Sequence, residues 1–239
     1  MAKKWKILIT NDDGIAAPGI LELARLALQL GDVWIAAPEG QCSAMSQRMT
    51  CRGALTAAPH ALDVPVEAAW SISGTPVDCV KTALTALLPV RPDVVLSGIN
   101  NGYNMGYDIA YSGTVGAACE ALMQGIPAIA CSASDDHSYG AVEESFLPLM
   151  QELLAQQPGT GALWNVNFPP EAKGILRGCR PAGFSFYHNR YTVQPQTDGA
   201  TRLDIQMNLP DPARCEPGTD IYAVLSGYIS VGTIRSMVL

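Results

Sequence analysis

Residues Lys6 to Ala37 read KILITNDDGIAAPGILELARLALQLGDVWIAA, and they contain the elements from which the fold is predicted. Lys6 to Thr10 is a short apolar run that ends in the turn sequence NDDG, and Pro18 to Leu30 is an apolar stretch with helical character. Gly31 is typical of a helix end, and Val33 to Ala37 is a second buried strand. A strand, a helix and another strand predict a βαβ unit, and therefore a parallel sheet.

The same alternation continues along the chain and predicts an α/β fold. After about Cys179 the segments alternate and carry turn signals without a strong helix, which predicts strands or hairpins appended to an α/β core. We expect one domain over residues 1–239, with a core to about residue 178 and an extension over about 179–239. The further predicted strands are Trp70–Ser73, Asp93–Ser97, Ala128–Cys131 and Trp164–Phe168, and the predicted helices are Pro76–Leu88 (capped by Thr75 and Asp78), Thr114–Gln124 and Glu143–Gln156.

Composition and charge exclude several classes of protein. The chain has 239 residues, 48% of them hydrophobic and 15% charged, which is typical of a globular protein. A formal net charge of −7 argues against a nucleic-acid polymer as partner. No signal peptide and no long apolar span is found, so we expect a cytoplasmic protein without a membrane partner. The seven cysteines are an odd number without CxxC spacing, which disfavours a disulfide framework or a thiolate metal site.

Two adjacent acids follow the first predicted strand. In an open parallel sheet, ligands bind outside the carboxyl ends of the strands. Asp12 and Asp13 stand at such an end, where their mutual repulsion costs stability unless a cation or a hydrogen-bond donor compensates. NDDG is also good turn sequence, so a solvated turn stays open as an alternative.

Two more polar loops follow neighbouring strands. The loop after the second strand offers the hydroxyls of Ser43 and Ser46, although serines are ordinary loop residues. The loop from Gly98 to Gly113 is unusually long, and it carries Asn100 among glycines that allow close backbone approach to a ligand. Its end, Ser112-Gly113-Thr114, directly precedes a helix, where free N–H groups and the helix dipole favour an anion. A helix cap at Ser112 or Thr114 is compatible with this.

The resulting set of carboxylate, hydroxyl and amide oxygens suits Mg²⁺, Mn²⁺ or Ca²⁺. Such an ion opposite a helix N-terminus is equipped for phosphoryl chemistry, and Asp12 or Asp13 could accept a proton from water. The glycines match neither GxxxxGK[ST] nor GxGxxG. The second acid-rich cluster, Asp135-Asp136-His137, is interpreted as a solvated loop. The sequence therefore predicts a phosphatase that depends on a divalent metal.

Five ordered blocks between residues 5 and 133 closely resemble the SurE (survival protein E) family. They are ILITNDDGIAAPGI, APEGQCSAMSQRMT, SGTPVDCVKTAL, SGINNGYNMGYDIAYSGTVGAACEA and GIPAIACS. The resemblance implies a Rossmann-like, mostly parallel sheet with helices on both faces. It also implies a C-terminal arm that is often exchanged between the protomers of a dimer, so a homodimer or a dimer of dimers is expected. It implies a 5′-nucleotidase that hydrolyses nucleoside 5′-monophosphates, and in some members 3′-monophosphates or short polyphosphate. One divalent ion is implied, Mg²⁺ or Mn²⁺, with Ca²⁺ as a substitute in a crystal.

The resemblance also assigns residues. It places the metal ligands on Asp12, Asp13, Ser43 and Asn100, and the phosphate-binding groups on Asn100, Ser112, Gly113 and Thr114. Asp12 and Asp13 are the implied catalytic residues. The chain departs from the family pattern at SAMS, at Glu120-Ala121 and in its ending GYISVGTIRSMVL, and residues 180–215 match poorly.

Two other functions compete with this interpretation. A phosphotransferase of the aspartyl-phosphate type would also place its nucleophile after the first strand, but it needs a DxD spacing that NDDG lacks. A non-catalytic sensing module that binds metal and nucleotide would hold a ligand without turnover. A receiver-like module of this kind would want an aspartate where the chain has Ser97-Gly98-Ile99-Asn100, so the sequence disfavours both.

Overall fold

A computed structural model describes residues 3–156, 158–196, 200–208 and 210–236. Its strands are β1 (Trp5–Thr10), β2 (Gly31–Pro38), β3 (Ala57–Pro59), β4 (Ala68–Ile72), β5 (Val94–Asn101), β6 (Ala128–Ala133), β7 (Ala162–Phe168), β8 (Ile175–Cys179), β9 (His188–Pro195), β10 (Thr201–Asn208) and β11 (Ile229–Arg235). Its α-helices are α1 (Pro18–Ala27), α2 (Pro76–Thr82), α3 (Gly113–Met123), α4 (Gly140–Ala155) and α5 (Asp220–Leu225). A π-helical turn (Ala83–Leu87) and two 3₁₀ turns (Tyr107–Ala110 and Pro212–Arg214) complete the regular structure.

The strands form a nine-stranded sheet in the order β3-β4-β2-β1-β5-β6-β7-β11-β8. Its central pairs from β4 to β7 are parallel, whereas β3 runs antiparallel to β4, and β11 runs antiparallel to β7. The remaining two strands, β9 and β10, form a separate antiparallel pair. The predicted α/β fold with a mostly parallel sheet and a C-terminal β-hairpin is thus confirmed.

Helices cover both faces of this sheet, as predicted. Side chains alternate between the two faces along a strand, so neighbouring residues of β1 enter different cores. Ile9 packs in a core with Leu23 of α1 and Phe146 of α4. Leu8 packs in a second core on the opposite face with Val115 of α3. All but Val115 are fully buried, and the sheet is therefore held between two apolar layers.

Helix α2 begins with the capping box that the sequence predicts. The Thr75 side chain accepts a hydrogen bond from the Asp78 N–H at 3.3 Å, and the Asp78 carboxylate accepts one from the Thr75 N–H at 2.9 Å. The same carboxylate accepts from the N–H and the hydroxyl of Thr50, at 2.9 and 2.7 Å. Burial raises the pKa of Asp78, but these hydrogen bonds outweigh it and the pKa is lowered. The loop after β2 is thereby fastened to α2.

Gly31 has a different role from the one that the sequence predicts. Helix α1 ends at Ala27, earlier than predicted, and Gly31 is the first residue of β2. A Cβ at Gly31 would lie 1.9 Å from the carbonyl oxygen of Trp5 on β1. A glycine is therefore required at this position because two strand backbones approach each other closely. It does not mark the end of a helix.

The C-terminal part of the chain also differs from its prediction. Ile229–Arg235 is not part of an appended hairpin but lies inside the main sheet, between β7 and β8. The short helix α5, which was not predicted, precedes it. Strands on both sides of the predicted boundary near residue 178 therefore belong to one sheet, whereas a single domain over residues 1–239 stays a prediction. No helix in the described ranges is long and apolar enough to cross a membrane.

Candidate active site

Four of the residues that the sequence singles out meet at the carboxyl ends of β1, β2 and β5, whereas Asp13, Gly113 and Thr114 do not line the same cleft. Asp12, Ser43, Asn100 and Ser112 line one cleft of about 740 Å³, which we call the site cleft. The three strands are adjacent in the order β2-β1-β5 and parallel, so the loops that follow them leave the sheet at the same edge. Four tyrosines and Asp135 also line the site cleft.

Asp12 is fastened to the N-terminus of α3. Its carboxylate accepts a hydrogen bond from the Thr114 N–H at 3.1 Å and another from the Thr114 hydroxyl at 2.5 Å. Asp12 is only 3% exposed, and a Cβ at Gly113 would lie 2.8 Å from the Cβ of Asp12. A carboxylate at the first turn of a helix is stabilised by the free N–H groups and the positive end of the helix dipole. This contact therefore joins the first strand to the predicted phosphate turn.

Burial raises the pKa of Asp12 to about 6, and the neighbouring charge of Asp13 adds to this effect. The hydrogen bonds from Thr114 act in the opposite direction but do not cancel it. The carboxylate is thus held in a place where its negative charge is poorly solvated. A bound cation would relieve that cost.

Asp13 is held by the last residue of β5. Its carboxylate accepts a hydrogen bond from the Asn101 N–H at 2.9 Å. Burial raises the pKa of Asp13, whereas hydrogen bonds from Asn101 and Gln41 and the nearby imidazole of His137 lower it without reversing the shift. None of the ion pairs between described residues includes Asp12 or Asp13. The two acids therefore lack a lysine or arginine partner there.

Ser43 and Asn100 complete the predicted ligand set. The Cys42 N–H donates to the Asp12 carbonyl oxygen at 2.6 Å, which places the exposed Ser43 beside the acids. The Asn100 side-chain nitrogen donates to the Gly102 carbonyl oxygen at 2.7 Å. That bond orients the amide, so its oxygen is the atom available to a cation.

The residues of the predicted phosphate turn, Ser112, Gly113 and Thr114, have different roles in the structure. Ser112 caps α3, because its side-chain oxygen accepts from the Val115 N–H at 3.1 Å. Thr114 directs both its N–H and its hydroxyl to Asp12, so it supports the acid pair in this structure. Within the described residues the Gly113 N–H makes no hydrogen bond. The Gly113 N–H and the hydroxyl hydrogen of Ser112 are therefore the donors left for an anion.

Sequence reasoning missed a cluster of buried asparagines behind the cleft. The Asn104 N–H donates to the Asn167 side-chain oxygen at 2.9 Å, and the Asn165 side-chain nitrogen donates to the Asn104 carbonyl oxygen at 2.9 Å. The Asn104 side chain in turn donates to the Ser132 hydroxyl at 2.9 Å. These bonds fix the loop after β5 against β6 and β7. The available signal was the pair of asparagines in WNVNFP, polar residues within an otherwise apolar strand.

The second acid cluster reaches the site as well. Asp135, Asp136 and His137 are exposed, in agreement with a solvated loop. The loop follows β6, however, and it brings Asp135 to the wall of the site cleft and His137 near Asp13. The interpretation as a solvated loop thus agrees with the structure, and the position of this loop at the wall of the site cleft is an addition that the sequence does not predict.

The donor chemistry of the cleft fits a hard divalent cation. Two carboxylates, one hydroxyl and one amide oxygen are the ligand types that Mg²⁺ and Mn²⁺ prefer. In the described part of the chain no three His, Cys, Asp or Glu side chains cluster as metal ligands. A cation bound by Asp12 and Asp13 would therefore need hydroxyl and amide oxygens such as those of Ser43 and Asn100.

Comparison with known proteins gives consistent matches. The protein family described as survival protein SurE matches residues 7–190. The 5′/3′-nucleotidase SurE of Shigella dysenteriae serotype 1 is 36% identical over 235 residues, covering 96% of this chain and 90% of that protein. The 5′-nucleotidase SurE of Protochlamydia amoebophila is 43% identical over 183 residues, which cover 75% of this chain and 70% of that protein. A crystal structure of the SurE protein from Aquifex aeolicus superposes on this chain with a TM-score of 0.82 at 32% sequence identity. The superposition covers 96% of this chain and 92% of that one.

The close approach of Gly113 to Asp12 predicts the effect of one methyl group. Gly113→Ala would place its Cβ 2.8 Å from the Asp12 side chain, and we expect it to lower the free energy of unfolding by about 1–3 kcal/mol. The matched control is Gly140→Ala, also at the first position of a helix, where the Cβ would meet only Pro170 at 3.5 Å. The free energy of unfolding of this control, measured by urea denaturation, should differ from that of the unmodified protein by no more than about 0.5 kcal/mol. Equal effects of both variants would contradict the packing described here.

Proposed function

The chain belongs to the SurE family and is a phosphoric monoester hydrolase, and from this premise we propose that it is a 5′-nucleotidase that uses one divalent metal ion. The observation that carries the proposal is the acid pair Asp12–Asp13, which has no lysine or arginine partner among the described residues and of which Asp12 is packed against the N-terminus of α3. The proposed substrates are nucleoside 5′-monophosphates, with 3′-monophosphates and short polyphosphate as further candidates.

In this proposal Asp12, Asp13, Ser43 and Asn100 hold Mg²⁺ or Mn²⁺. The support is that Asp12, Ser43 and Asn100 line the same cleft and that the Asn101 N–H fixes Asp13 beside it. When bound, such an ion neutralises charge on phosphoryl oxygens and lowers the pKa of a water molecule.

The substrate phosphate lies at the start of α3. The Gly113 N–H and the Ser112 hydroxyl donate hydrogen bonds to its oxygens, because neither group donates to another of the described residues. The 11-residue helix α3 adds the positive end of its dipole. Thr114 acts indirectly by fixing the Asp12 carboxylate at the same helix end.

Hydrolysis then needs a proton acceptor and a proton donor. Attack of water on phosphorus forms one P–O bond and breaks the bond between phosphorus and the sugar oxygen. The proton that a carboxylate takes from the water is passed on to the sugar oxygen, which leaves as a hydroxyl. We assign the acceptor role to the carboxylates of Asp12 and Asp13; the support is that Asp12 accepts a hydrogen bond from the Thr114 N–H at the start of α3 and that Asp13 is its neighbour in the chain. Because neither has a lysine or arginine partner in the described residues, both are available for this role.

We also propose that the chain assembles as a homodimer or a dimer of dimers through the β9–β10 hairpin. Tyr191 pairs with Ile205 and Val193 pairs with Leu203, so these four side chains share one face of the hairpin. Each is more than half exposed. A two-stranded hairpin with such an apolar face is stable when another surface covers it, and a second copy of the chain is the partner that the resemblance implies.

The metal proposal predicts a specific pattern of phosphate release from AMP. We expect activity with Mg²⁺ or Mn²⁺, loss of activity in EDTA, and recovery when the ion is restored. Asp13→Asn should lower kcat/KM by a factor of about 100 or more, because a charged ligand is removed. Asp135→Asn is the matched control, since Asp135 also lines the cleft but lies outside the proposed ligand set, and it should keep most of the activity. Full activity in EDTA would refute the metal dependence.

The assembly proposal is tested by light scattering coupled to size-exclusion chromatography. The double variant Val193→Asp, Leu203→Asp should shift the chain toward the monomer, because charges on the shared apolar face oppose its burial. The control Thr192→Asp, Gln194→Asp adds the same charge to the opposite face and should leave the mass unchanged. An unchanged oligomer in the first variant, or a monomeric unmodified protein, would contradict the proposal.

A further inference from the structure

The loop after β2 carries Ser43, and hydrogen bonds fasten the loop on either side of that residue. The Cys42 N–H donates to the Asp12 carbonyl oxygen at 2.6 Å. The next residue along the loop that hydrogen bonds to another part of the described chain is Ser46. Ser43 therefore lies between two fastened points of the loop.

Ser46 is fixed against the start of α3 by three contacts. Its N–H donates to the Tyr111 carbonyl oxygen at 2.9 Å, and its hydroxyl donates to the Ala110 carbonyl oxygen at 2.8 Å. Its own carbonyl oxygen packs on α3, where a Cβ at Gly116 would lie 2.2 Å from it. Both acceptor carbonyls directly precede Ser112, the cap of α3. One residue of the loop after β2 is thus joined to the predicted phosphate turn.

The backbone around Ser46 adopts an unusual conformation. The φ angles of Ala44 and Ser46 are +57° and +52°, in the left-handed region that residues other than glycine rarely adopt. Such a conformation persists only where the surrounding structure imposes it, and the contacts of Ser46 do so. Ala44 lines the site cleft together with Ser43. The path of the backbone at the cleft wall therefore depends on the contacts that Ser46 makes.

We infer that Ser46 is a positioning residue that fixes Ser43 in the proposed metal site. The inference rests on the proposed function, since Ser43 is a metal ligand only there. Ser46 is not among the residues that line the site cleft, so it acts through Ser43 and not by contact with the ion. Ser46 thereby joins the metal side of the cleft to the start of α3, separately from the contact between Asp12 and Thr114.

The test measures the Kd for Mn²⁺ by calorimetry on the full chain. Ser46→Ala loses the hydroxyl that bonds to Ala110, and it should weaken Mn²⁺ binding by a factor of about three to ten. The matched control is Thr50→Ala, which removes a hydroxyl bond of 2.7 Å from the same loop to the Asp78 carboxylate. Because that acceptor is charged, the control should lower Tm at least as much as Ser46→Ala, yet its Kd should change by less than about twofold.

Two further variants separate positioning from stability. Ser43→Ala should weaken Mn²⁺ binding about tenfold, and the double variant Ser43→Ala, Ser46→Ala should bind Mn²⁺ like Ser43→Ala alone, because Ser46 acts through Ser43. Ser46→Gly also lacks the hydroxyl, but glycine adopts the left-handed conformation without strain. It should therefore have a higher Tm than Ser46→Ala and bind Mn²⁺ no more tightly.

Three results would overturn the inference and leave the proposed function standing. They are an unchanged Kd in Ser46→Ala, an equal loss of affinity in Thr50→Ala, and losses in Ser43→Ala and Ser46→Ala that add in the double variant. The last two would show that Ser46 only supports the fold. If Ser43→Ala leaves the Kd unchanged, or if the unmodified protein does not bind Mn²⁺, the proposed ligand set is wrong and the inference fails with it.

Discussion

The contact on which the site depends is that between the Asp12 carboxylate and the first turn of α3. Asp12 lies two residues after the end of β1, and Thr114 offers it both an N–H and a hydroxyl from the start of the helix. A carboxylate in this position satisfies a helix N–H that has no partner inside the helix and interacts favourably with the dipole. The same contact fixes the distance between the first strand and the residues that precede the helix.

Several other features follow from this contact. Gly113 must lack a side chain because Asp12 fills the space that a Cβ would need. Gly116, one turn further along α3, must lack one because the Ser46 carbonyl oxygen would lie 2.2 Å away. The loop after β2 is therefore drawn onto the same helix end, and Ser43 comes with it. Close packing at one helix terminus thus gathers acids, hydroxyls and free donors into one cleft.

The sequence predicts the parts of this arrangement that depend on local patterns and on sheet order. The apolar runs locate β1 and β2, the Thr75–Asp78 spacing predicts the capping box, and the strand-end rule brings Asp12, Ser43 and Asn100 together. It does not predict where Thr114 directs its donors, because a helix cap, a phosphate site and a carboxylate partner all suit the same residue. Only the position of Asp12 decides between them.

Pairing between residues far apart in the chain is the other feature that the sequence does not predict. The alternating pattern of Ile229–Arg235 indicates a strand, but nothing local shows that it lies beside β7, more than sixty residues earlier in the chain. The buried bond between Asn104 and Asn167 is likewise invisible in the sequence, since it joins residues 63 positions apart. Such contacts depend on the assembled sheet and become evident only in three dimensions.

The proposed function depends on the binding of one divalent ion by Asp12, Asp13, Ser43 and Asn100. The most direct measurement is an anomalous difference map from a crystal of the protein grown with Mn²⁺. We predict one strong peak between these four side chains, with oxygen ligands around it. A peak at Asp135 and Asp136 instead, or no peak at a Mn²⁺ concentration that supports full turnover, would contradict the account.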